Sequence, residues 1–140
     1  MDAHALATTY AAEAEARGGL IALRTEVVGV ERAAPGYHLA VADADGGCTM
    51  LSCVAVVNAA GLGADRVAAL AGIDVDARGY RLHYCKGDYF SLAPGAELRL
   101  ARLVYPVPAG AGLGVHATLD LAGRVRFGPD AEFVPAPEYA

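Results

Sequence analysis

Residues 53–72 read CVAVVNAAGLGADRVAALAG, and three local patterns follow one another along them. The first five residues are a continuous apolar, valine-rich run, which is typical of a strand buried on both faces of a parallel sheet. Gly61 and Gly63 then supply a turn. Apolar residues return at helical spacing, and Gly72 ends them. The stretch therefore predicts a strand, a glycine turn and a short helix.

A helix is predicted before this segment, over residues 4–17. Asp2 is placed to cap its first turn, and Gly18 and Gly19 supply the left-handed exit that ends many helices. The face expected to be apolar carries Leu6, Tyr10 and Ala14.

Strands are predicted on both sides of residues 53–72. Residues 20–32, 37–43 and 48–59 read as a three-stranded meander, with the turn ADGG at 44–47. After residue 79 the pattern is that of an antiparallel sheet with Gly and Pro turns. Its predicted strands are 80–92, 97–108, 113–121 and 124–130, followed by a tail at 135–140 without periodicity. The fold class predicted is α+β.

Composition excludes several classes of protein. The 140 residues have a net charge of −5, which argues against binding to nucleic acid. No apolar run approaches the length of about 18 residues that a membrane-spanning helix needs, and residues 1–10 lack the basic start of a signal peptide. Three cysteines without CxxC spacing predict neither a disulfide framework nor a metal site, and they suit a reducing cytoplasm.

The motif GLGADR at 61–66 has two interpretations. Its GxG spacing resembles a dinucleotide-binding loop, but Arg66 stands at the third glycine position. The glycines could simply make the turn between strand and helix. Alternatively, the small residues Asn58 to Gly61 let a ligand approach the backbone closely.

Two further segments carry candidate site residues. Gly87, inside a strand pattern, marks a bulge or the close approach of another group, and Lys86 beside it could bind a carboxylate. The alternative is an ordinary lysine on an edge strand. In YPVP, at 105–108, two prolines force the strand to an edge and leave Tyr105 on a rigid backbone, either at a site or simply at a strand end.

His116 is the strongest candidate for catalysis. Strand alternation places it on one face with Gly114 and Thr118, where the glycine leaves space for a ligand. Imidazole is suited to accepting a proton from a hydroxyl group near neutral pH. The alternative is a hydrogen-bonded structural histidine.

Taken together, six motifs resemble the FAD-dependent oxidoreductases of the D-amino-acid-oxidase-like superfamily, and in particular its L-2-hydroxyglutarate dehydrogenase/oxidase branch. The resemblance covers nearly the whole chain, from about residue 2 to residue 133. In chain order, the motifs are MDAHAL (1–6), VVNAAGLGADRVAALAGI (56–73), KGDYFSL (86–92), LVYPVP (103–108), LGVHATLD (113–120) and FGPD (127–130).

The resemblance implies the division of the chain and its cofactor. Residues 1–75 would belong to the FAD-binding domain, and residues 76–134 to the sheet of the substrate domain. The residues implied to approach FAD are Val27, Val28, Asn58, Ala59, Ala60 and Gly61.

The substrate implied is a small 2-hydroxy acid similar to L-2-hydroxyglutarate. Lys86, Tyr105 and His116 match positions that would face it. His116 would act as the catalytic base while a hydride passes from C2 to the flavin.

The chain departs from the family in lacking the N-terminal GxGxxG loop and the C-terminal segment that completes the flavin site. It is therefore expected to be a central piece of the enzyme, inactive or weakly active alone, and to bind FAD poorly by itself. Unpaired strand edges make a homodimer plausible. Two alternatives stay open, namely a non-catalytic carboxylate-binding or assembly fragment, and a piece of an amine oxidase similar to glycine oxidase or D-amino-acid oxidase.

Overall fold

The computed structural model describes residues 2–107 and 114–137, and it contains two helices and two small antiparallel sheets. The chain divides into two units. One comprises residues 8–82, and the other comprises residues 83–140 together with 1–7. The mixed α+β class predicted from the sequence is confirmed.

Helix α1 spans Ala3–Ala16 and has the ends that the sequence predicts. The Asp2 carboxylate accepts a hydrogen bond from the Ala5 N–H at 3.0 Å. Gly18 adopts a φ of 86°, and the Gly19 N–H donates to the Ala14 carbonyl. The predicted apolar face is not buried, because all the side chains of this helix, each of them described, are at least partly exposed.

The first sheet is the predicted meander, with strands β1 (Thr25–Arg32), β2 (Tyr37–Asp43) and β3 (Cys48–Cys53) paired in that order. The turn between β2 and β3 forms because the Asp43 carboxylate accepts hydrogen bonds from the N–H groups of Asp45 and Gly47. Strand β1 starts later than predicted, and Leu20 to Leu23 precede it as an exposed segment.

The valine-rich run does not continue β3 as predicted. The strand ends at Cys53, and Val54 and Val57 are 85% and 87% exposed. A strand needs a neighbour to pair its backbone groups, and the described residues supply none beyond Cys53. A short 3₁₀ turn at Gly61–Gly63 then leads into helix α2, Ala64–Leu70, which Gly72 follows with a φ of 78°.

A buried carboxylate that was not predicted from the sequence anchors α2. Asp65 is 8% exposed, and it accepts hydrogen bonds from the N–H groups of Arg66 and Leu82. The Arg81 guanidinium lies 3.7 Å from the Asp65 carboxylate and forms two hydrogen bonds with Asp76. These contacts tie residues 74–82 to the helix.

The second sheet has the strand order β4-β6-β5 and is antiparallel throughout. Its strands are β4 (Tyr84–Ser91), β5 (His116–Leu119) and β6 (Val125–Val134). The strand predicted over 97–108 is absent among its described residues, 97–107. Only Val104 forms a bridge there, pairing with Ala117 on β5. Residues 108 and 113, and the end of the predicted tail (138–140), lie outside the described residues.

Asp120 organises the turn between β5 and β6. Its carboxylate accepts hydrogen bonds from the backbone N–H groups of Ala122 and Arg124, each at 2.9 Å, and from the Arg124 side chain at 2.7 Å. The hydrogen bonds from Arg124 hold the pKa of Asp120 below its ordinary value of 3.8.

Replacing Asp120 with asparagine is expected to lower the thermal stability of the chain near neutral pH. Since the pKa is lowered in the folded state, the stabilisation is present above the unfolded-state pKa and is lost as pH falls through the folded-state pKa. Melting temperatures of the parent and Asp120→Asn should therefore differ near pH 7 and converge in strong acid, once the pH has fallen through the folded-state pKa of Asp120. Asp45→Asn, in the other turn, is the control and should match the parent at both pH values. A constant gap between parent and Asp120→Asn across this range would contradict the role of ionisation.

Candidate active site

A row of three residues crosses the second sheet. His116 on β5 lies opposite Gly128 on β6. The register of β4 with β6 shifts between Asp88 and Phe90, which brings Tyr89 beside Gly128. A Cβ atom on Gly128 would lie 2.7 Å from a ring carbon of Tyr89 and 2.6 Å from the Asp88 carbonyl oxygen. The absence of a side chain on the central strand therefore lets the Tyr89 ring reach across to His116.

Both ring nitrogens of His116 have partners. Nε2 lies 3.0 Å from the Tyr89 hydroxyl oxygen, and Nδ1 lies 3.1 Å from the Gly114 carbonyl oxygen. The His116 side chain is buried, with 5% of the residue exposed, whereas Tyr89 is 46% exposed. A histidine that is almost fully buried thus forms a hydrogen bond with the hydroxyl of a tyrosine that is about half exposed.

Tyr105 covers the other side of the imidazole. The ring centroids of Tyr105 and His116 are 4.7 Å apart with planes tilted by 34°, while Tyr89 meets His116 edge to face at 5.7 Å. The bridge between Val104 and Ala117 holds Tyr105 at this position. Of the residues predicted for the site, His116 and Tyr105 are in direct contact.

The space predicted beside Gly114 is not free. A Cβ atom at Gly114 would lie 2.8 Å from the Pro106 ring, because this proline packs against the glycine. Gly87 packs against Pro129 in the same way, because a Cβ atom built at Gly87 would lie 2.7 Å from the Pro129 Cβ atom. The space beside each of these glycines is therefore filled by a proline of the chain itself. The exposed side of the site is formed by Tyr89 and Tyr105.

Lys86 lies farther along β4. Its ammonium group forms an ion pair with the Asp88 carboxylate at 2.9 Å, and both side chains are about half exposed. In the sheet register Lys86 is opposite Glu132, four residues along β6 from Gly128. Along its own strand Lys86 is three residues from Tyr89, which at about 3.3 Å per residue places its backbone roughly 10 Å from the row that contains His116.

Tyr89 is the residue that the sequence interpretation missed. In the motif KGDYF, only Lys86 and Gly87 were predicted to contribute to a site. Strand alternation puts Gly87 and Tyr89 on the face opposite Lys86, so the sequence indicates on which face Tyr89 lies. It does not indicate the strand order, which brings Tyr89 across β6 to a histidine 27 residues away.

The residues expected near FAD lie in the unit formed by residues 8–82, here called the first unit. Val28 is the extra residue of a bulge in β1, between Val27, which pairs with Val41, and Gly29, which pairs with Ala40. A bulge leaves the backbone groups of the extra residue outside the ladder. Val28 can therefore offer backbone hydrogen bonds to a ligand.

Asn58 fixes the small-residue turn. Its amide nitrogen donates to the Ala64 carbonyl at 2.7 Å, and its amide oxygen accepts from the Ala60 N–H. Ala59, Ala60 and Gly61 are exposed, and a Cβ atom built at Gly61 or Gly63 would meet no atom within 4 Å. The turn is thus held rigid from one side, with open space beside its glycines, and it fits the approach of a flat cofactor.

No helix among the described residues is long and apolar enough to cross a membrane. Within the same residues, no group of three or more His, Cys, Asp or Glu side chains could hold a metal ion. The thiols of Cys48, Cys53 and Cys85 are free.

The chain has clear relatives among known proteins. The L-2-hydroxyglutarate dehydrogenase of Salmonella houtenae is 32% identical over 128 residues, which cover 90% of this chain and 29% of that protein. The mitochondrial protein of the same name from Arabidopsis thaliana is 46% identical over 84 residues, 56% of this chain and 16% of its own length. The human one is 30% identical over 142 residues, covering 94% and 30%.

These matches define how much of a relative the chain represents. It spans between 16% and 33% of the length of the curated relatives that it matches. The model of the DAO family, described as FAD dependent oxidoreductase, matches residues 1–139. The chain belongs to the DAO family of FAD-dependent oxidoreductases.

Proposed function

We propose that this chain forms the central part of an FAD-dependent enzyme that oxidises a 2-hydroxy acid similar to L-2-hydroxyglutarate. The observation that carries the proposal is the buried His116, held between Tyr89 and Tyr105 on the second sheet. Such a group can accept the proton of a substrate hydroxyl at a fixed position. The name shared by the relatives supports the choice of substrate.

In this proposal the chain binds and deprotonates the substrate, and FAD, when bound, supplies the hydride acceptor. His116 acts as the base. Tyr105, 53% exposed beside the imidazole, and Lys86 face the carboxylate groups. Because Lys86 starts on the face of β4 opposite Tyr89, its ammonium would leave Asp88 and pass round the edge of this outer strand to meet a substrate carboxylate.

FAD would lie along the first unit. The bulge at Val27 and Val28 would meet the adenine end through backbone groups, and the turn Asn58, Ala59, Ala60 and Gly61 would pass close to the dinucleotide. Two observations support this placement. The backbone groups of Val28 lie outside the hydrogen-bond ladder of β1, and the space beside Gly61 is open. We accordingly assign residues 1–75 to the FAD-binding domain and residues 76–134 to the substrate domain.

Catalysis is proposed for the complete flavoprotein, since the matches cover at most a third of each relative. The exposed Val54 and Val57 support this view, because a valine-rich extended segment is typically buried by neighbouring strands. Free thiols suit the reducing cytoplasm, which we propose as the location. Pairing of strand edges between two copies is the proposed route to a homodimer.

The test is anaerobic mixing of the complete flavoprotein with L-2-hydroxyglutarate while the flavin absorbance is recorded. Loss of the oxidised flavin band with the L-isomer, and little change with the D-isomer, is expected. Bleaching by glycine or a D-amino acid in place of the hydroxy acid would contradict the proposal and favour the amine oxidase alternative. An unchanged flavin with every compound would leave a non-catalytic binding or assembly role.

A further inference from the structure

We infer that Tyr89 is a catalytic residue, which takes the proton of the substrate hydroxyl and passes its own proton to His116. The inference rests on the proposed function, which assigns the base to His116. It adds the group that touches the substrate and fixes which nitrogen of the imidazole is the proton acceptor.

The tautomer of His116 follows from its two partners. A carbonyl oxygen only accepts hydrogen bonds, so Nδ1, 3.1 Å from the Gly114 carbonyl, must carry a proton. A neutral imidazole has one protonated nitrogen and one acceptor nitrogen. Nε2 is therefore the acceptor, and the Tyr89 hydroxyl donates to it at 3.0 Å.

Exposure then decides which group meets the substrate. His116 is 5% exposed and its Nε2 lone pair is already engaged by Tyr89. Tyr89 is 46% exposed, and its hydroxyl oxygen can accept a hydrogen bond while it donates one. A substrate hydroxyl therefore reaches the histidine through Tyr89 without displacing it.

Two protons move in this relay, one from the substrate to Tyr89 and one from Tyr89 to His116. The substrate O–H bond breaks as an O–H bond forms on Tyr89, whose original proton moves to Nε2 of His116. FAD, when bound, would supply the hydride acceptor, so that the C2–H bond breaks with its electron pair and the C2–O bond becomes a carbonyl. His116 ends as an imidazolium, and its Nδ1–H still donates a hydrogen bond to the Gly114 carbonyl. The Gly114 carbonyl and the Tyr89 hydroxyl thus hold the imidazole of His116 in position for the transfer.

The first experiment uses the chain itself, labelled with ¹⁵N, and reads the two imidazole nitrogens of His116 by NMR at about pH 8, where a free imidazole is neutral. The expected result is a protonated Nδ1 and an unprotonated Nε2. Tyr89→Phe should shift the Nε2 resonance, while Tyr80→Phe, an exposed tyrosine of the other unit, should leave it unchanged. A proton on Nε2 in the parent would overturn the inference.

The second experiment measures turnover of the complete flavoprotein. Tyr89→Phe is expected to lower kcat by about 10²-fold with a smaller change in KM, the size of effect usual for a proton-transfer group. It should also lower the solvent deuterium isotope effect on flavin reduction, because one of the two exchangeable protons no longer moves, whereas loss of a merely structural tyrosine would leave this effect unchanged. Tyr80→Phe should behave as the parent.

The two experiments distinguish failure of the proton relay through Tyr89 from failure of the proposed function. Turnover of Tyr89→Phe within a few-fold of the parent, on a hydroxy acid that the parent oxidises, would overturn the relay whatever the NMR shows. If no hydroxy acid is oxidised by the parent, the proposed function fails, and the relay fails with it. The tautomer measured in the isolated chain would then stand only as a structural feature.

Discussion

Replacing His116 with glutamine is expected to lower hydroxy-acid turnover by the complete flavoprotein by about 10²–10⁴-fold, the usual contribution of a general base. Glutamine retains hydrogen-bonding groups for Gly114 and Tyr89, but its amide has no basic nitrogen. The loss should appear in kcat and in the rate of flavin reduction by substrate.

The matched control is His38→Gln. His38 is exposed on β2 in the other unit, and its replacement should leave turnover unchanged. Flavin content and melting temperature of both variants show whether each has folded. A His116→Gln variant that binds flavin normally and retains turnover within a few-fold of the parent would show that His116 is a structural residue.

The second large effect is expected at Gly128. Alanine at this position would place a Cβ atom 2.6 Å from the Asp88 carbonyl oxygen and 2.7 Å from the Tyr89 ring. The carbonyl belongs to the paired backbone of β4 and cannot rotate away, so either the strands separate or the ring moves. Overpacking of this kind typically costs about 1–3 kcal/mol.

Urea unfolding of the isolated chain measures this cost directly. Gly63→Ala is the control, because a Cβ atom there meets nothing within 4 Å. Its effect should stay within about 0.5 kcal/mol. Gly128→Ala should also shift the His116 Nε2 resonance, since displacement of Tyr89 breaks the hydrogen bond. Equal unfolding free energies for the two alanine variants would contradict the close packing of Tyr89 on β6.

Local chemistry made much of the fold predictable. Strand β2 and the turn at 44–47 occur where the sequence predicts them, because a carboxylate at Asp43 and glycines at the turn act over a few residues. The ends of α1 follow from Asp2 and Gly18 in the same way. The apolar face of that helix was a weaker guide, since burial depends on what packs against it.

Features that depend on distant residues were harder to predict. Periodicity indicated a strand through Val57, but a strand forms only where a neighbour pairs with it, and β3 ends at Cys53. At the candidate site, His116 and Tyr105 were predicted from the glycine and the prolines close to them in the sequence. Tyr89 was missed because its contact with His116 depends on the order β4-β6-β5, which alternation along one strand does not reveal.

We propose that in the complete flavoprotein the oxidised carbon of the substrate lies beside the pair formed by Tyr89 and His116. The most direct measurement is a crystal structure of the complete flavoprotein with FAD and a bound 2-hydroxy acid or its 2-oxo product. The expected result is a C2 oxygen within about 3 Å of the Tyr89 hydroxyl oxygen, the distance of a proton-transfer contact. A C2 oxygen held elsewhere, with Tyr89 and His116 away from the ligand, would contradict it.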